Sequence, residues 1–353
     1  MNNTLPLSVY SSSWRYGHVQ GIAIDKERKY MYYSFTTALI KTDLVGNVIG
    51  SVVNLLGHLG CIAMNNEDGC VYGSLEYKHD AIGKGIMNRL GLDLDLEDAF
   101  YMAIFDVSKI DRLDMDAEKD GIMTCVYLKQ VVDDFNAKLP REHRHGCSGI
   151  DGTTFGPKFG CAPDSKQYLT VAYGIYLDNE RTDNDYQVLL QYDISDWAKY
   201  RRPINQYAMH HEGPEAPDGK YFVFTGNTSW GVQNLEYDAW KNVWFLTVYL
   251  GRKEKYPNYP MYIVDNSVAP VEKKLQGYED GTVGPVLTLL ATGETRHPSG
   301  VPGYYFPWGQ TGFIALGDGK YYVSHNCKDE NGWNSTVHLY HWDESGETPL
   351  LMD

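Results

Sequence analysis

The sequence predicts an all-β fold: a single β-propeller domain over residues 1–353, with five four-stranded blades. Three observations favour this fold class: an inner-strand repeat in five copies, apolar residues in short runs, and high counts of tyrosine (28) and glycine (35). Aromatic and β-branched runs are typical of strands, and glycine is typical of the turns between them. A closed ring of blades protects the strand edges that an open array would expose.

The repeat is clearest where each blade is expected to begin. HVQGIAID (18–25) and HLGCIAMN (58–65) align without a gap, so that His18 corresponds to His58. Three further copies have small residues at the start, a short apolar run and a turn residue: GIDGTTFG (149–156), GVQNLEYD (231–238) and, with one extra residue, GQTGFIALG (309–317). Self-similarity of this kind indicates a repeat architecture. These copies are the predicted inner strands of blades one to five.

Three more strands are expected after each inner strand. The predicted second strands are YMYYSF, CVYGSLEY, YLTVAYG, VWFLTVYL and YYVSHN. The predicted third strands end on an aspartate whose carboxylate can accept hydrogen bonds from turn amides: Asp43, Asp106, Asp193, Asp265 and Asp343. The predicted outer strands are VIGSV, IMTCVYL, INQYA and PVLTLLA, with either ETPLLM or the early segment LPLSVY completing blade five.

One segment departs from this pattern. Residues 131–140, VVDDFNAKLP, have the apolar spacing of a short helix, and Pro140 is expected to end it. We therefore predict a short helical insertion near 131–140, between blades two and three.

The composition argues against several classes of partner. The formal net charge is −15, and Lys and Arg form no dense run, so we expect no binding to nucleic acid or to an anionic membrane. No basic segment followed by an apolar one begins the sequence, and no run approaches 18 apolar residues, so we expect a cytoplasmic protein. The six cysteines include no CxxC pair, and we expect all to be unpaired. The oligomeric state is left open.

One face of the propeller is predicted to carry the functional site. In a four-stranded meander, the start of the inner strand and the end of the second strand lie on the same face. Most of the long polar loops also fall there, which is where binding and catalysis usually reside. The inner-strand starts supply His18, Gln20, His58, Asp151, Gln233 and Gln310, and the second-strand ends supply Glu76, Tyr173, Arg252 and His325.

An aromatic segment is expected at the same rim. PGYYFPWGQ (302–310) leads into the last inner strand, after the pair Arg296 and His297. Its rings could form a stacking surface suited to a sugar, and they include Tyr304, Tyr305, Phe306 and Trp308.

The candidate residues allow several kinds of chemistry. His18 and His58 are expected to be acid–base groups or ligands of a divalent metal ion, with His210 and His211 as further metal ligands. The same histidines could instead bond to the backbone at the channel mouth. Asp151 and Glu76 could be a glycosidase carboxylate pair, or solvated charges at the rim. Tyr173 is a candidate acid or base, and Arg252 a candidate partner for a substrate carboxylate.

The combination of His18, His58, a tyrosine and an arginine on one face resembles the polysaccharide and oligosaccharide lyases built on propellers. The resemblance implies that His and Tyr handle the proton α to a uronate carboxylate, while Arg or a metal neutralises that carboxylate. A glycoside hydrolase is the second hypothesis, because five-bladed propellers include glycosidases, and here Asp151, Glu76 and Glu236 could supply carboxylates. The third hypothesis is a non-catalytic propeller that binds a ligand or a protein. We expect a small carbohydrate or glycoside as substrate and no organic cofactor.

Overall fold

The computed structural model describes residues 5–291, 297–343 and 349–353, and its strands form five sheets in chain order. The fold is all-β, a propeller of five blades, as the repeat predicts. Arg296 of the candidate set lies outside the described residues.

Each blade is given from its inner strand outward. Blade one contains Val19–Ile24, Tyr30–Phe35, Ala38–Asp43 and Val48–Val53, with Met115–Asp116 beside the last. Blade two contains His58–Met64, Val71–Tyr77, Ala99–Phe105 and Met123–Tyr127. Blade three contains Cys147–Pro157, Gln167–Ile175, Tyr186–Tyr192 and Gly219–Phe224, followed by Val283–Val286 and Val271–Lys274. Blade four contains Ser229–Asp238, Val243–Tyr249 and Met261–Asp265. Blade five contains Phe313–Gly317, Lys320–Lys328 and Trp333–Trp342, whose outer edge pairs with Ser8–Tyr10 and Leu350–Met352.

Helices are few and lie between strands. The described α-helices are Ala81–Leu90 and Lys129–Phe135, and the short 3-10 turns are Val107–Lys109, Arg144–Gly146 and Trp197–Lys199. The predicted insertion between blades two and three is therefore present, but its helix ends five residues before Pro140. Neither α-helix is long and apolar enough to cross a membrane, and none elsewhere in the described chain is.

The inner strands contact one another in chain order around the axis, and the ring closes where blade five meets blade one. Middle strands are buried on both faces because each sheet packs between two neighbours. The third strand of blade two, AFYMAIF, is an example in which every residue is buried.

Blade five is completed by both of the predicted segments, the early LPLSVY and the late ETPLLM. Val9 pairs with Val337, and beyond it on the same edge Leu350 pairs with Trp342. The N-terminal strand is thus built into the last blade, and Val9 is only 2% exposed.

Two predicted outer strands were assigned wrongly. Blade three uses Gly219–Phe224, whereas INQYA (204–208) lies in a connection, where Gln206 accepts a hydrogen bond from the Leu56 amide at 2.7 Å. PVLTLLA joins two blades, because Leu287 N bonds to Phe222 O of blade three and Leu290 N bonds to Ile263 O of blade four. It still supplies part of the fourth edge of blade four, through the bridge between Val264 and Leu289, and Tyr304 forms a second bridge to that edge at Met261.

The cysteine prediction is confirmed, and the turn prediction is confirmed at Asp43, Asp193 and Asp265. Asp43 accepts hydrogen bonds from the amides of Val45 and Asn47, and Asp193 and Asp265 accept one each from the amides two residues on. All six cysteines are free.

Candidate functional site

Three buried ionisable side chains meet at one mouth of the central channel. His58 begins the inner strand of blade two and is paired across the sheet with Glu76, near the end of the second strand. His58 Nδ1 lies 3.3 Å from Glu76 Oε1 and 3.8 Å from Asp151 Oδ1 of blade three. The predicted convergence of inner-strand starts and second-strand ends is therefore observed.

Local irregularity of the strands directs side chains to the axis. In blades one to four the pairing of the inner strand with the second strand is interrupted near its start. Gln20, Asp151 and Gln233 lie in three of these interruptions, where an unpaired residue can turn its side chain away from the sheet.

Glycines leave the space that the buried carboxylates occupy. A Cβ on Gly149 would lie 2.1 Å from Glu76 Oε2, and one on Gly60 would lie 2.7 Å from Asp151 Oδ1. Any other residue at either position would therefore displace a carboxylate of the cluster.

A buried lysine neutralises part of this cluster. Lys78 Nζ lies 2.8 Å from Glu76 Oε2 and 3.6 Å from Asp80 Oδ2, and it donates a hydrogen bond to Ser148 O at 2.7 Å. Burial opposes the charge of Lys78, but the carboxylates of Glu76, Asp80 and Asp151 outweigh it and raise the pKa of Lys78. Lys78 and Glu76 thus form a buried ion pair.

Asp151 forms no ion pair with a Lys or Arg of the described residues. Burial, and then the negative charge of Glu76, raise the pKa of Asp151 to about 7, although His58, Lys78 and Gln233 act in the opposite direction. Gln233 Nε2 donates to Asp151 Oδ2 at 3.1 Å. Near neutral pH this carboxyl can therefore both release and accept a proton, as a general acid or base must.

His18 lies across the same mouth as a neutral imidazole. Gln20 Nε2 donates to His18 Nδ1 at 2.7 Å and to Thr36 Oγ1 at 3.2 Å, which leaves the ring proton on Nε2. Burial, followed by the charges of His58 and Arg89, lowers the pKa of His18 to about 4.

These residues border a cavity of about 380 Å³, here called the axial cavity. Its polar wall contains His18, Gln20, Thr36, His58, Asp151 and Gln233, and its aromatic wall contains Trp230, Tyr249 and Trp333. Beneath it, Asn234 Nδ2 donates to Gln20 O and to Gln310 O, each at 2.8 Å, so that one amide ties blades one, four and five together.

The helix Ala81–Leu90, α1, covers the axial cavity. It begins at Asp80, whose carboxylate accepts hydrogen bonds from the amides of Ile82 and Gly83, and it ends at Gly91 in the left-handed region. Ile82, Ile86 and Arg89 of α1 border the cavity. The sequence predicts only a long polar loop for this segment.

Several predicted site residues do not border the axial cavity. Tyr173 is fully buried, and its hydroxyl donates to Asp134 Oδ2 at 2.6 Å, beside the ion pair of Asp134 with Lys220. Arg252 is exposed on the loop after blade four's second strand. Gln310 contributes its carbonyl oxygen to Asn234 rather than a side chain to the cavity.

The predicted aromatic surface and the predicted metal ligands His210 and His211 also lie apart from the axial cavity. Trp308 stacks on His325 with ring centroids 3.9 Å apart, and Tyr305 is 60% exposed against Tyr259. Tyr304 and Phe306 are buried in the core. His210 contacts the Tyr101 ring, and His211 Nε2 lies 3.0 Å from Glu97 Oε1.

Sequence reasoning missed Tyr249, the last residue of blade four's second strand. The second-strand rule pointed to this end of the blade, but Arg252, three residues further on, was selected. Burial, and then the negative charge of Asp151, raise the pKa of Tyr249 to about 12, so its phenol keeps its proton at neutral pH.

A metal ion could be held by part of the cluster. His58, Glu76 and Asp151 each offer one ligand atom, and these atoms lie within 4.8 Å of one another. His18, His210 and His211 are not part of this group.

Comparison with known proteins identifies no family for this chain and finds only distant structural similarity. No family model matches the chain, and no curated protein does. Among solved structures, the apo-form of the soluble aldose sugar dehydrogenase from Escherichia coli is 10% identical, covering 92% of this chain and 98% of its own, with a TM-score of 0.39. The holo-form PQQ domain of pyranose dehydrogenase from Coprinopsis cinerea is 10% identical, covering 90% of this chain and 81% of its own, with a TM-score of 0.39. The β-propeller domain of Myceliophteria thermophila Cps50 (Swd1) is 8% identical, covering 92% of this chain and 84% of its own, with a TM-score of 0.35. Similarity this low transfers neither substrate nor cofactor to this chain.

Proposed function

We propose that this propeller is a carbohydrate-active enzyme, a lyase that cleaves an acidic oligosaccharide or glycoside in the axial cavity by β-elimination. The observation that carries the proposal is Asp151, a carboxyl with a pKa of about 7 that borders a cavity with aromatic walls. Aromatic faces suit sugar rings, and a group that titrates near the working pH suits proton transfer.

A cation in the cavity supports an acidic substrate. Arg89 projects from α1 and forms no ion pair with any Asp or Glu in the described part of the chain. A Cβ on Gly17 would lie 2.5 Å from Arg89 Nη1, so this glycine leaves room for the guanidinium beside His18. A guanidinium can bind a carboxylate through two parallel hydrogen bonds, which makes Arg89 the proposed partner of a uronate.

Two residues carry out the proton transfers of the proposed reaction. The Asp151 carboxylate takes the proton from the ring carbon beside the substrate carboxylate. The electron pair forms a carbon–carbon double bond, and the bond from the next carbon to the glycosidic oxygen breaks. Tyr249 gives its phenolic proton to that oxygen, and Asp151 then returns a proton to Tyr249 through solvent. Arg89 offsets the negative charge that develops at the carboxylate.

The carboxylate pair gives less support to a glycoside hydrolase. Asp151 and Glu76 offer oxygens within 4.8 Å of each other, and Glu76 is 2% exposed and ion-paired with Lys78. A glycosidase places its two carboxylates on either side of the scissile bond, where both can reach the sugar.

Product analysis on oligosaccharides in which a sugar is attached to the uronate at the carbon next to the deprotonated one tests the proposal. We expect a new ultraviolet absorbance, from a double bond conjugated with the carboxylate, and we expect it to be lost in Asp151→Asn. Cleavage without that absorbance would instead indicate a hydrolase, and binding without cleavage would indicate a non-catalytic propeller.

A divalent metal ion is a second candidate at the same cluster, favoured by the clustering of His58, Glu76 and Asp151. Metal analysis of the purified protein tests it, with Asp151→Asn as the variant and Asp164→Asn, at the surface of the same blade, as the control. A stoichiometric ion that is lost only in Asp151→Asn would support a metal site.

A further inference from the structure

A cavity of about 290 Å³ is bordered by residues near the ends of all five inner strands and is here called the distal cavity. The axial cavity is bordered instead by residues near the starts of these strands, so the two cavities lie at opposite mouths of the channel. They share no lining residue. Glu236, which the sequence offers as a carboxylate for a hydrolase, borders the distal cavity and takes no part in the proposed elimination.

The inner-strand repeat places one residue of each blade at the same position beside the distal cavity: Ala23, Ala63, Thr154, Glu236 and Ala315. Four of these five side chains are small, so they leave open the space that longer side chains would fill. Glu236 is the exception, and it brings a carboxyl into a ring whose other polar side chain is the Thr154 hydroxyl.

Two hydrogen-bond donors hold the carboxyl of Glu236 in place. Thr154 Oγ1 donates to Glu236 Oε2 at 3.0 Å, and Ala315 N donates to Glu236 Oε1 at 2.9 Å. No Lys, Arg or His of the described residues borders the cavity. Burial raises the pKa of Glu236 to about 8 against the lowering effect of these two donors, and the charge of Asp238 adds a smaller rise. A bound cation would stabilise the carboxylate.

The rest of the lining combines apolar walls with a polar rim. Beside the cavity, part of the apolar surface of four half-buried side chains is left uncovered by the core: Ile24, Met64, Phe155 and Ile194. The remaining polar lining consists of Asn65, Asn66, Glu67 and Gln167. Glu67 is exposed, so it adds a second acidic group at the rim. This lining suits a ligand with an apolar body and a positive charge at one end.

We propose that the distal cavity is a second ligand site, in which a small organic ammonium ion pairs with Glu236 while its apolar part packs against Met64 and Phe155. A hydrogen bond between an ammonium and a carboxylate is about twice as strong as one between neutral groups. A metal ion is a poorer occupant, because Glu236 belongs to no cluster of three metal-ligating side chains in the described part of the chain. The inference does not depend on the proposed elimination.

Titration with a matched pair of probes tests this site. Phenethylamine carries an ammonium group, and phenethyl alcohol has the same aromatic body without the charge. Calorimetry is done at about pH 8.5, above the pKa of Glu236, so that the carboxylate is the main form. We expect the native protein to bind the amine about ten-fold or more tightly than the alcohol, because only the amine can form the ion pair.

Charge-removing variants locate the binding site. Glu236→Gln can keep the hydrogen bonds to Thr154 and Ala315 but loses the charge, so it should abolish the preference for the amine. Glu272→Gln, on an exposed strand of blade three, is the matched control and should change nothing. Asp151→Asn should also leave the affinity for the amine unchanged, because Asp151 borders the axial cavity and not the distal one.

A cavity-filling variant gives a second test that keeps the charge. Ala315→Leu retains the backbone amide that donates to Glu236 but places a larger side chain in the cavity, so it should abolish binding of both probes. Equal affinity of the native protein for amine and alcohol, or an unchanged preference in Glu236→Gln, would overturn the inference. If Glu236→Gln does not fold, retained binding in Ala315→Leu would overturn it. A lower melting temperature with unchanged binding would show that Glu236 only joins neighbouring blades.

Discussion

His58 Nδ1 donates a hydrogen bond to Glu76 Oε1 at 3.3 Å, and the two residues face each other across adjacent strands of blade two. The same imidazole lies 3.8 Å from Asp151. It therefore links the carboxylate that is ion-paired with Lys78 to the carboxylate whose pKa is raised.

Replacing His58 with alanine should lower activity or metal content while the propeller still folds. Loss of the link between the two carboxylates should reduce kcat by about 100-fold or more, the usual size of an acid–base contribution. Assays, metal analysis and a thermal melt on one preparation check this. Unchanged turnover and metal content with a lower melting temperature would show that the histidine only supports the fold, since an orphaned buried partner costs about 1 to 3 kcal/mol.

Asp151 should make stability depend on pH. Its pKa is raised to about 7 in the folded protein, from an ordinary value of 3.8, so the folded state keeps a proton that the unfolded state has lost. The contribution of this group to stability therefore falls as pH rises from about 4 to 7. Relative to the native protein, Asp151→Asn should gain stability over that range, on the order of 3 kcal/mol. Urea unfolding of both proteins at several pH values measures the difference, and parallel curves would contradict it.

Activity should rise over the pH range in which the contribution of Asp151 to stability falls. If Asp151 is the base, kcat/KM rises as pH approaches 7 and levels off above it, because the carboxylate is the active form. A rate that falls through this range would assign Asp151 the role of acid instead.

Two tyrosines should respond in opposite ways to loss of the hydroxyl. Tyr249→Phe should lower kcat by about 100-fold with little change in melting temperature, because this phenol faces the axial cavity. Tyr173→Phe should keep full activity and lose about 1 to 3 kcal/mol of stability, since Asp134 loses a buried donor. Equal activity in the two variants would remove Tyr249 from the proposed reaction.

Lys78→Met should destabilise the protein strongly. It leaves Glu76, which is 2% exposed, without its cation, and breaking a buried pair from one side costs about 3 to 5 kcal/mol. The exposed Lys138→Met is the control and should change stability by less than about 0.5 kcal/mol. Chemical denaturation measures both, and similar midpoints would mean that another group neutralises Glu76.

Most features that recur from blade to blade could be predicted from the sequence, and most features that occur only once could not. The five inner-strand copies, with His18 aligned on His58, were enough to predict the blades and the meeting of His58, Glu76 and Asp151 on one face, because strand order in a meander fixes which ends are neighbours. The outer strand of blade three was missed because INQYA follows the third strand at a suitable distance, whereas the more apolar GKYFVF lies further along the chain. Tyr249 and Arg89 could not be found either. Their roles depend on where one strand ends and on a helix that folds over the channel, and neither recurs in the repeat.

The N-terminal strand has a consequence for the order in which the protein folds. The backbone of Ser335 bonds to Ser11, 324 residues earlier, so the last blade cannot be completed until nearly the whole chain has left the ribosome. The proposed acid–base groups belong to blades two, three and four and can assemble before that moment. Until then the segment around Val9 remains an unpaired apolar strand, available to a second copy of the chain. We therefore expect slow ring closure and, at high concentration of the intact chain, domain-swapped dimers in which the first strand of one molecule pairs with the last blade of another.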